Sequence, residues 1–343
     1  MKEHPKQNTF WQISRGFAPK WARMLKLSFS LFLLLGVCLA LYNVLRATYR
    51  DSQVSRLFPQ KWVNLNEEDN PAAGVPIGGP TEKLDLRVGI APIVSPEKSL
   101  EMYQDFIGYV AEKLGRTPVS FYRATYSEIN NLVRYKLCDI AFVSTYPFMR
   151  GEREFGMQVL VVPQIHGETK YQSFILVPQS SSAASLWDLR GKRFASADII
   201  STTGWLFPAM MLMQHGENPN RFFGEHVITG SHDRSIQAVA DGFVDGAAVS
   251  GIVFDQMETE NPSILKKIRI LAKSPFFGNP PLVVHPDMDK SLRSAVLSIL
   301  LNMHVDGRGK PILDKLQIER FVIPEKGLYD SLRQEVGKLE GWR

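Results

Sequence analysis

The chain has 343 residues, with 40 Lys+Arg against 35 Asp+Glu and a formal net charge of +5. Residues 1–26 hold six basic side chains (Lys2, Lys6, Arg15, Lys20, Arg23, Lys26) and one acidic (Glu3), so the excess lies in this tail and the rest is balanced. A nucleic-acid footprint needs basic residues gathered on a folded face, and that class of function is excluded.

Next comes an uncharged apolar run, residues 27–45 (LSFSLFLLLGVCLALYNVL). At 1.5 Å per residue it spans roughly the 30 Å hydrocarbon core of a bilayer. With Lys and Arg clustered before it, the positive-inside bias places residues 1–26 in the cytoplasm and the C-terminal domain in a bacterial periplasm. A single-pass signal anchor in the inner membrane is expected. The alternative is a cleaved leader, for which Cys38, Leu39 and Ala40 offer small residues near a cleavage position. The long basic region, and a run longer than the usual leader core of about 7–15 residues, favour the anchor. Residues 46–83, with Asn66 to Pro71 and a Gly/Pro-rich stretch to Pro80, lack any period and read as a flexible tether. Cys38 falls in the membrane segment and Cys138 is alone in the soluble part, so no disulfide joins them. No Cys/His spacing suggests a metal, no cofactor is expected, and Cys138 reads as an inert packed thiol.

From residue 84 the pattern alternates strand and helix. Strands are expected at 84–90, 119–123, 139–144, 194–197, 226–229 and 246–250. Helices are expected at 97–114, 126–135, 204–215 and 234–241. This is an α/β chain with mostly parallel sheets flanked by helices. The segments 158–163 with 171–178, and 268–271 with 281–285, break the rhythm and suit crossings between lobes. About 260 residues exceed a comfortable single core, so two lobes are expected. Lobe 1 takes 84–170 and, with the C-terminal helices 291–304 and 328–339, residues 274–343; lobe 2 takes 171–273.

Four strand-to-helix junctions carry turn or hydroxyl residues: 91–96, 144–147, 201–204 and 230–233. Ligands of open α/β sheets bind beyond the carboxyl ends of strands, where these junctions lie. Each opens a helix whose free N–H groups and dipole favour an anion. Simple N-capping by Ser, Thr and Asp explains any one junction alone. The sharpest is Ser201-Thr202-Thr203-Gly204, where three hydroxyls precede a glycine that lets the backbone approach a tetrahedral ligand. His232, on a neighbouring junction, can donate to an oxyanion.

The blocks Val88-Gly89-Ile90, Cys138-Asp139-Ile140-Ala141-Phe142, Ser201-Thr202-Thr203-Gly204, Gly230-Ser231-His232, Val244-Asp245-Gly246-Ala247-Ala248 and Lys273-Ser274-Pro275, in this order, resemble the PhnD-like family. These are the phosphate/phosphite/phosphonate periplasmic binding proteins of ABC importers. The resemblance covers residues 84–310. It implies a two-lobed type II periplasmic binding protein that closes on a small oxyanion. Ser201, Thr202 and Thr203 would grip the oxyanion with help from His232. Ser144, Thr145, Tyr146 and Tyr126 would contribute from the other lobe. One departure bears on the ligand. Relatives that take aminoalkyl phosphonates carry an acidic residue just after the Ser-Pro block, where this chain reads Phe276-Phe277-Gly278-Asn279-Pro280-Pro281. A simple or neutral-tailed oxyanion is therefore expected. The membrane anchor is a second departure, and leaves open a tethered sensing module that signals to a membrane kinase in place of an importer's permease.

An enzyme is not expected. Ser95 to Lys98 match an S-x-x-K spacing, but no S-D-N or K-T-G accompanies them, and Pro96 with Glu97 reads as a helix start. There is no G-x-S-x-G, H-E-x-x-H or Walker A motif.

Overall fold

The computed structural model describes residues 84–340. The basic tail 1–26, the apolar segment 27–45 and the tether 46–83 lie outside the described residues. Among the described residues, no helix is long and apolar enough to cross a membrane. Thirteen strands follow in chain order: β1 (Asp85–Ile90), β2 (Thr117–Tyr122), β3 (Ile140–Phe142), β4 (Gln158–Gln164), β5 (Lys170–Tyr171), β6 (Ser173–Pro178), β7 (Arg193–Ser196), β8 (Glu225–Ile228), β9 (Gly246–Ser250), β10 (Ile268–Lys273), β11 (Phe277–Gly278), β12 (Leu282–Val284) and β13 (Arg320–Val322).

They form two main sheets. The first has the order β13-β4-β12-β3-β1-β2, the second β10-β6-β9-β7-β8. The β-helix-β units β1-β2-β3 and β7-β8-β9 pair in parallel. The expectation of mostly parallel sheets is corrected by the remaining pairs: β12 runs antiparallel to β3 and β4, β13 to β4, and β6 to β9 and β10. Both sheets are mixed. β6 and β12 arrive by lobe crossings, without a crossover helix to turn them parallel, whereas β10 and β13 follow β9 and β12 through helices, keep their direction, and so oppose β6 and β4. Between the sheets, β5 and β11 pair antiparallel, Tyr171 opposite Phe277, in a two-stranded ribbon where the chain passes from one sheet to the other and back.

Helix boundaries follow local chemistry. Pro96 opens the helix Pro96–Lys113, where its missing N–H costs nothing, and Gly115 at φ +66° follows its end. Thr125 and Glu128 form a reciprocal capping box for the helix Tyr126–Arg134. The first lobe packs Phe106, Phe142 and Phe321 at ring separations of 5.4 to 6.2 Å over Val88, Ile140 and Leu282. The second packs Leu176, Val239 and Val249 about its sheet.

The C-terminal helix Asp330–Glu340, expected with the first lobe, contacts both lobes. It packs on the helix Phe207–Gln214 of the second lobe, and Gln214 Nε2 donates to Glu335 Oε2 at 3.0 Å. Its Arg333 still pairs with Glu152 of the first lobe at 2.7 Å, and the preceding Tyr329 ring lies 5.1 Å from Phe148. Leu332 and Val336 bury an apolar face in the cluster that lies across both lobes, so the helix bridges them.

Candidate functional site

The loop ends of β2, β3, β7 and β8 bring Tyr126, Ser144, the 201–203 hydroxyls and His232 together at one buried point. From the second lobe, β7 ends at Ser196 and the chain turns through Asp198 to Ser201, Thr202 and Thr203, all fully buried. Residues Thr202–Leu206 form a π-helical turn before the helix Phe207–Gln214 begins. Gly204 is required there, because a Cβ would lie 2.9 Å from Ser201 Oγ and 3.2 Å from the Ala197 nitrogen. Its N–H donates to Ser201 Oγ at 3.0 Å, which holds the hydroxyl triplet in a tight turn.

His232 opens the helix His232–Ala240 and is 2% exposed. The backbone N–H of Ser250, at the end of β9, donates to its Nδ1 at 3.2 Å. Nδ1 is therefore the acceptor and the ring proton sits on Nε2. That Nε2 lies 3.4 Å from Ser201 Oγ, 3.5 Å from Thr203 Oγ1 and 3.5 Å from Tyr126 OH. Burial pushes the imidazole pKa down to about 4, against an opposing pull from Asp233, so the ring is a neutral donor at physiological pH.

The first lobe supplies the facing wall. Ser144 Oγ lies 2.9 Å from Thr202 Oγ1, and the backbone N–H of Tyr146 donates to the same Thr202 oxygen at 2.8 Å. Tyr146 thus joins the site through its main chain, at the start of the helix Thr145–Phe155. Thr145 donates its hydroxyl to Gly278 O at 2.8 Å, tying this helix to the ribbon strand β11. Tyr126 is buried, with its hydroxyl at His232 and its pKa raised by burial and by Asp198. All eight residues singled out in the sequence lie in this region, although Thr145 serves the ribbon and Tyr146 acts through its N–H.

Sequence reasoning missed three participants. Tyr171, on β5, has its hydroxyl 3.4 Å from Thr145 Oγ1, and burial raises its pKa, an effect that the neighbouring hydroxyls of Thr145, Thr202, Ser144 and Thr203 oppose. Its position on an apolar crossing strand gave no signal. Ser250 precedes Gly251 after β9, the same hydroxyl-then-glycine pattern seen at Gly204, and could have been found that way. Asp198 follows β7 and bonds across the cleft. Among the described residues, no Lys or Arg is fully buried and Asp198 is the one buried carboxylate. An anion here would meet hydroxyls, peptide N–H groups and a neutral imidazole, and no fixed positive charge. Cys138 is buried beneath β1, with its thiol pushed up to about 12 by burial, which makes it unreactive. No cluster of three or more His, Cys, Asp or Glu placed to hold a metal occurs among the described residues.

The family described as "ABC transporter, phosphonate, periplasmic substrate-binding protein" matches residues 88–329. The Phosphonates-binding periplasmic protein of Escherichia coli is 24% identical over 236 residues, covering 67% of this chain and 70% of that protein. Two solved structures share the fold. A binding protein component of an ABC phosphonate transporter from Pseudomonas aeruginosa has a TM-score of 0.69 at 20% identity, covering 74% of this chain and 86% of that one. PhnD1 from Prochlorococcus marinus, in complex with methylphosphonate, has a TM-score of 0.67 at 21% identity, covering 74% and 98%.

Proposed function

Because the chain belongs to the family of periplasmic substrate-binding proteins of phosphonate ABC transporters, we propose that it captures a small tetrahedral oxyanion between its lobes for an importer's permease. The observation that carries this reading is the convergence of Ser144, Ser201, Thr202, Thr203 and Tyr126 with the Nε2–H of His232 at one buried point. Hydroxyls and a neutral imidazole can turn their protons toward oxyanion oxygens without burying a compensating charge. Lobe closure then isolates the anion from water, and ligand binding shifts the population toward the closed form. These groups bind and orient; the family is one of binding proteins, not enzymes.

The finer reading is a compact oxyanion, such as phosphite, methylphosphonate or phosphate, without a cationic tail. Asp198 is the buried carboxylate nearest the site loop, and both its oxygens already accept backbone N–H groups, from Tyr126 at 3.0 Å and Ile200 at 2.8 Å. Its carboxylate is thus engaged in holding these two backbone segments, and no other carboxylate among the described residues is buried. Calorimetric titration of the full chain tests this. Phosphite or methylphosphonate should bind with one-to-one stoichiometry, and 2-aminoethylphosphonate should bind at least tenfold more weakly; tighter binding of the zwitterion would overturn the finer reading.

Residues 27–45 would hold the protein in the inner membrane, with the domain on the periplasmic side and residues 46–83 as its tether. This rests on the charge and length of those segments. The periplasmic placement accords with the family.

A further inference from the structure

Two carboxylates of the second lobe cross the cleft in the same way. Asp198 Oδ2 accepts the backbone N–H of Tyr126, the first residue of the helix Tyr126–Arg134, at 3.0 Å. Asp233 Oδ1 accepts the backbone N–H of Ser95, the cap residue of the helix Pro96–Lys113, at 2.9 Å. Helix N-termini offer unpaired N–H groups and the positive end of a dipole, so an anion is favoured at both. Neither lobe 1 helix satisfies these groups alone. Ser95 makes no side-chain capping bond, and the Thr125–Glu128 box serves the N–H groups of those two residues, leaving that of Tyr126 to Asp198.

Both aspartates are also joined to the site. Asp198 accepts the Ile200 N–H at 2.8 Å, and its carbonyl accepts that of Ser201 at 3.1 Å, so it shapes the loop carrying the hydroxyl triplet. Asp233 follows His232, whose own N–H donates across the cleft to Ile93 O at 3.0 Å. Beside it, Arg234 and Glu97 pair across the rim at 3.7 Å.

We propose that Asp198 and Asp233 form a two-point interlobe latch, capping lobe 1 helix N-termini only while the lobes are together and so slowing ligand release without holding the ligand. The inference rests on the reading that the lobes close around an oxyanion. Both are positioning residues. Opening must break both bonds, whereas entry into an open cleft requires neither. Loss of one charge-assisted bond should therefore raise koff by about tenfold and leave kon nearly unchanged.

Stopped-flow fluorescence of the full chain with methylphosphonate tests this. Asp233→Ala should raise koff about tenfold, and Asp233→Asn, which keeps an acceptor but not the charge, should fall between. Ser95→Pro removes the opposing N–H, at a φ of −53° that proline accepts and at a residue whose hydroxyl makes no capping bond. Combined with Asp233→Ala, it should add nothing further to koff. An unchanged koff in Asp233→Ala, or additive effects in the double variant, would overturn the latch. Asp198→Ala should behave like Asp233→Ala; should it fail to fold, because Asp198 also holds Ile200, the Asp233–Ser95 cycle decides. A second readout separates this proposal from the ligand assignment. Interlobe distance distributions from paired spin labels, taken without ligand, should lose a minor short-distance population in Asp233→Ala, a shift too small to change kon. If methylphosphonate does not bind the wild type, the oxyanion reading fails while this shift still supports the latch, and its absence refutes it.

Discussion

At the scale of the residue, Thr202 is the point where both lobes meet. Its hydroxyl oxygen receives the Tyr146 N–H and lies beside Ser144 Oγ. Thr202→Val keeps the shape and removes the oxygen, so calorimetry should show oxyanion affinity reduced by about a hundredfold, on the order of two lost hydrogen bonds. The orphaned Tyr146 N–H adds a stability cost of about 1–3 kcal/mol, readable as a lower denaturant midpoint with an unchanged m-value. His232 makes a pH prediction of definite sign. Its folded pKa, about 4, lies below the ordinary value of 6.5, so its contribution to stability is full above pH 6.5 and is lost as pH falls toward 4. That contribution is roughly 3 kcal/mol for a ring so buried, and it should be absent from the pH profile of His232→Gln measured by thermal denaturation. The Ser-Thr-Thr-Gly junction and His232 were legible in the sequence because turn chemistry at strand ends is local. Tyr171 and Asp198 were not, since their roles depend on a strand register and on two lobes approaching each other.

At the scale of the element, the alternation of strands and helices was legible because each βα unit carries its own period and punctuation. The direction of β12, β13 and β6 was not. An antiparallel strand and a parallel one show the same apolar pattern, and the difference lies in how the chain re-enters the sheet. The C-terminal helix is a similar case, because its apolar face is visible in the sequence and its partners in both lobes are not. The ribbon β5–β11 makes a test of its own. A Cβ on Gly278 would lie 2.6 Å from Tyr329 Cε1 and 2.9 Å from Leu328 Cγ. Gly278→Ala must therefore displace a buried ring whose hydroxyl donates to Asn279 O at 2.9 Å. Its expected cost is about 1–3 kcal/mol, measured by urea denaturation, with Tyr329→Phe milder at about 1 kcal/mol.

At the scale of the whole molecule, charge separates two tasks. The excess of +5 belongs to residues 1–26, and the rest of the chain is balanced. Membrane topology would use the first, while ligand capture would use neutral donors in a buried cleft. Membrane fractions washed with alkaline carbonate should retain the full chain; release into the supernatant would remove the anchor. The most direct test of oxyanion capture is native mass spectrometry of the full chain as purified. One bound phosphorus oxyanion per chain is predicted, absent in Thr202→Val. An amino acid in its place, or an oxyanion still bound to Thr202→Val, would contradict it.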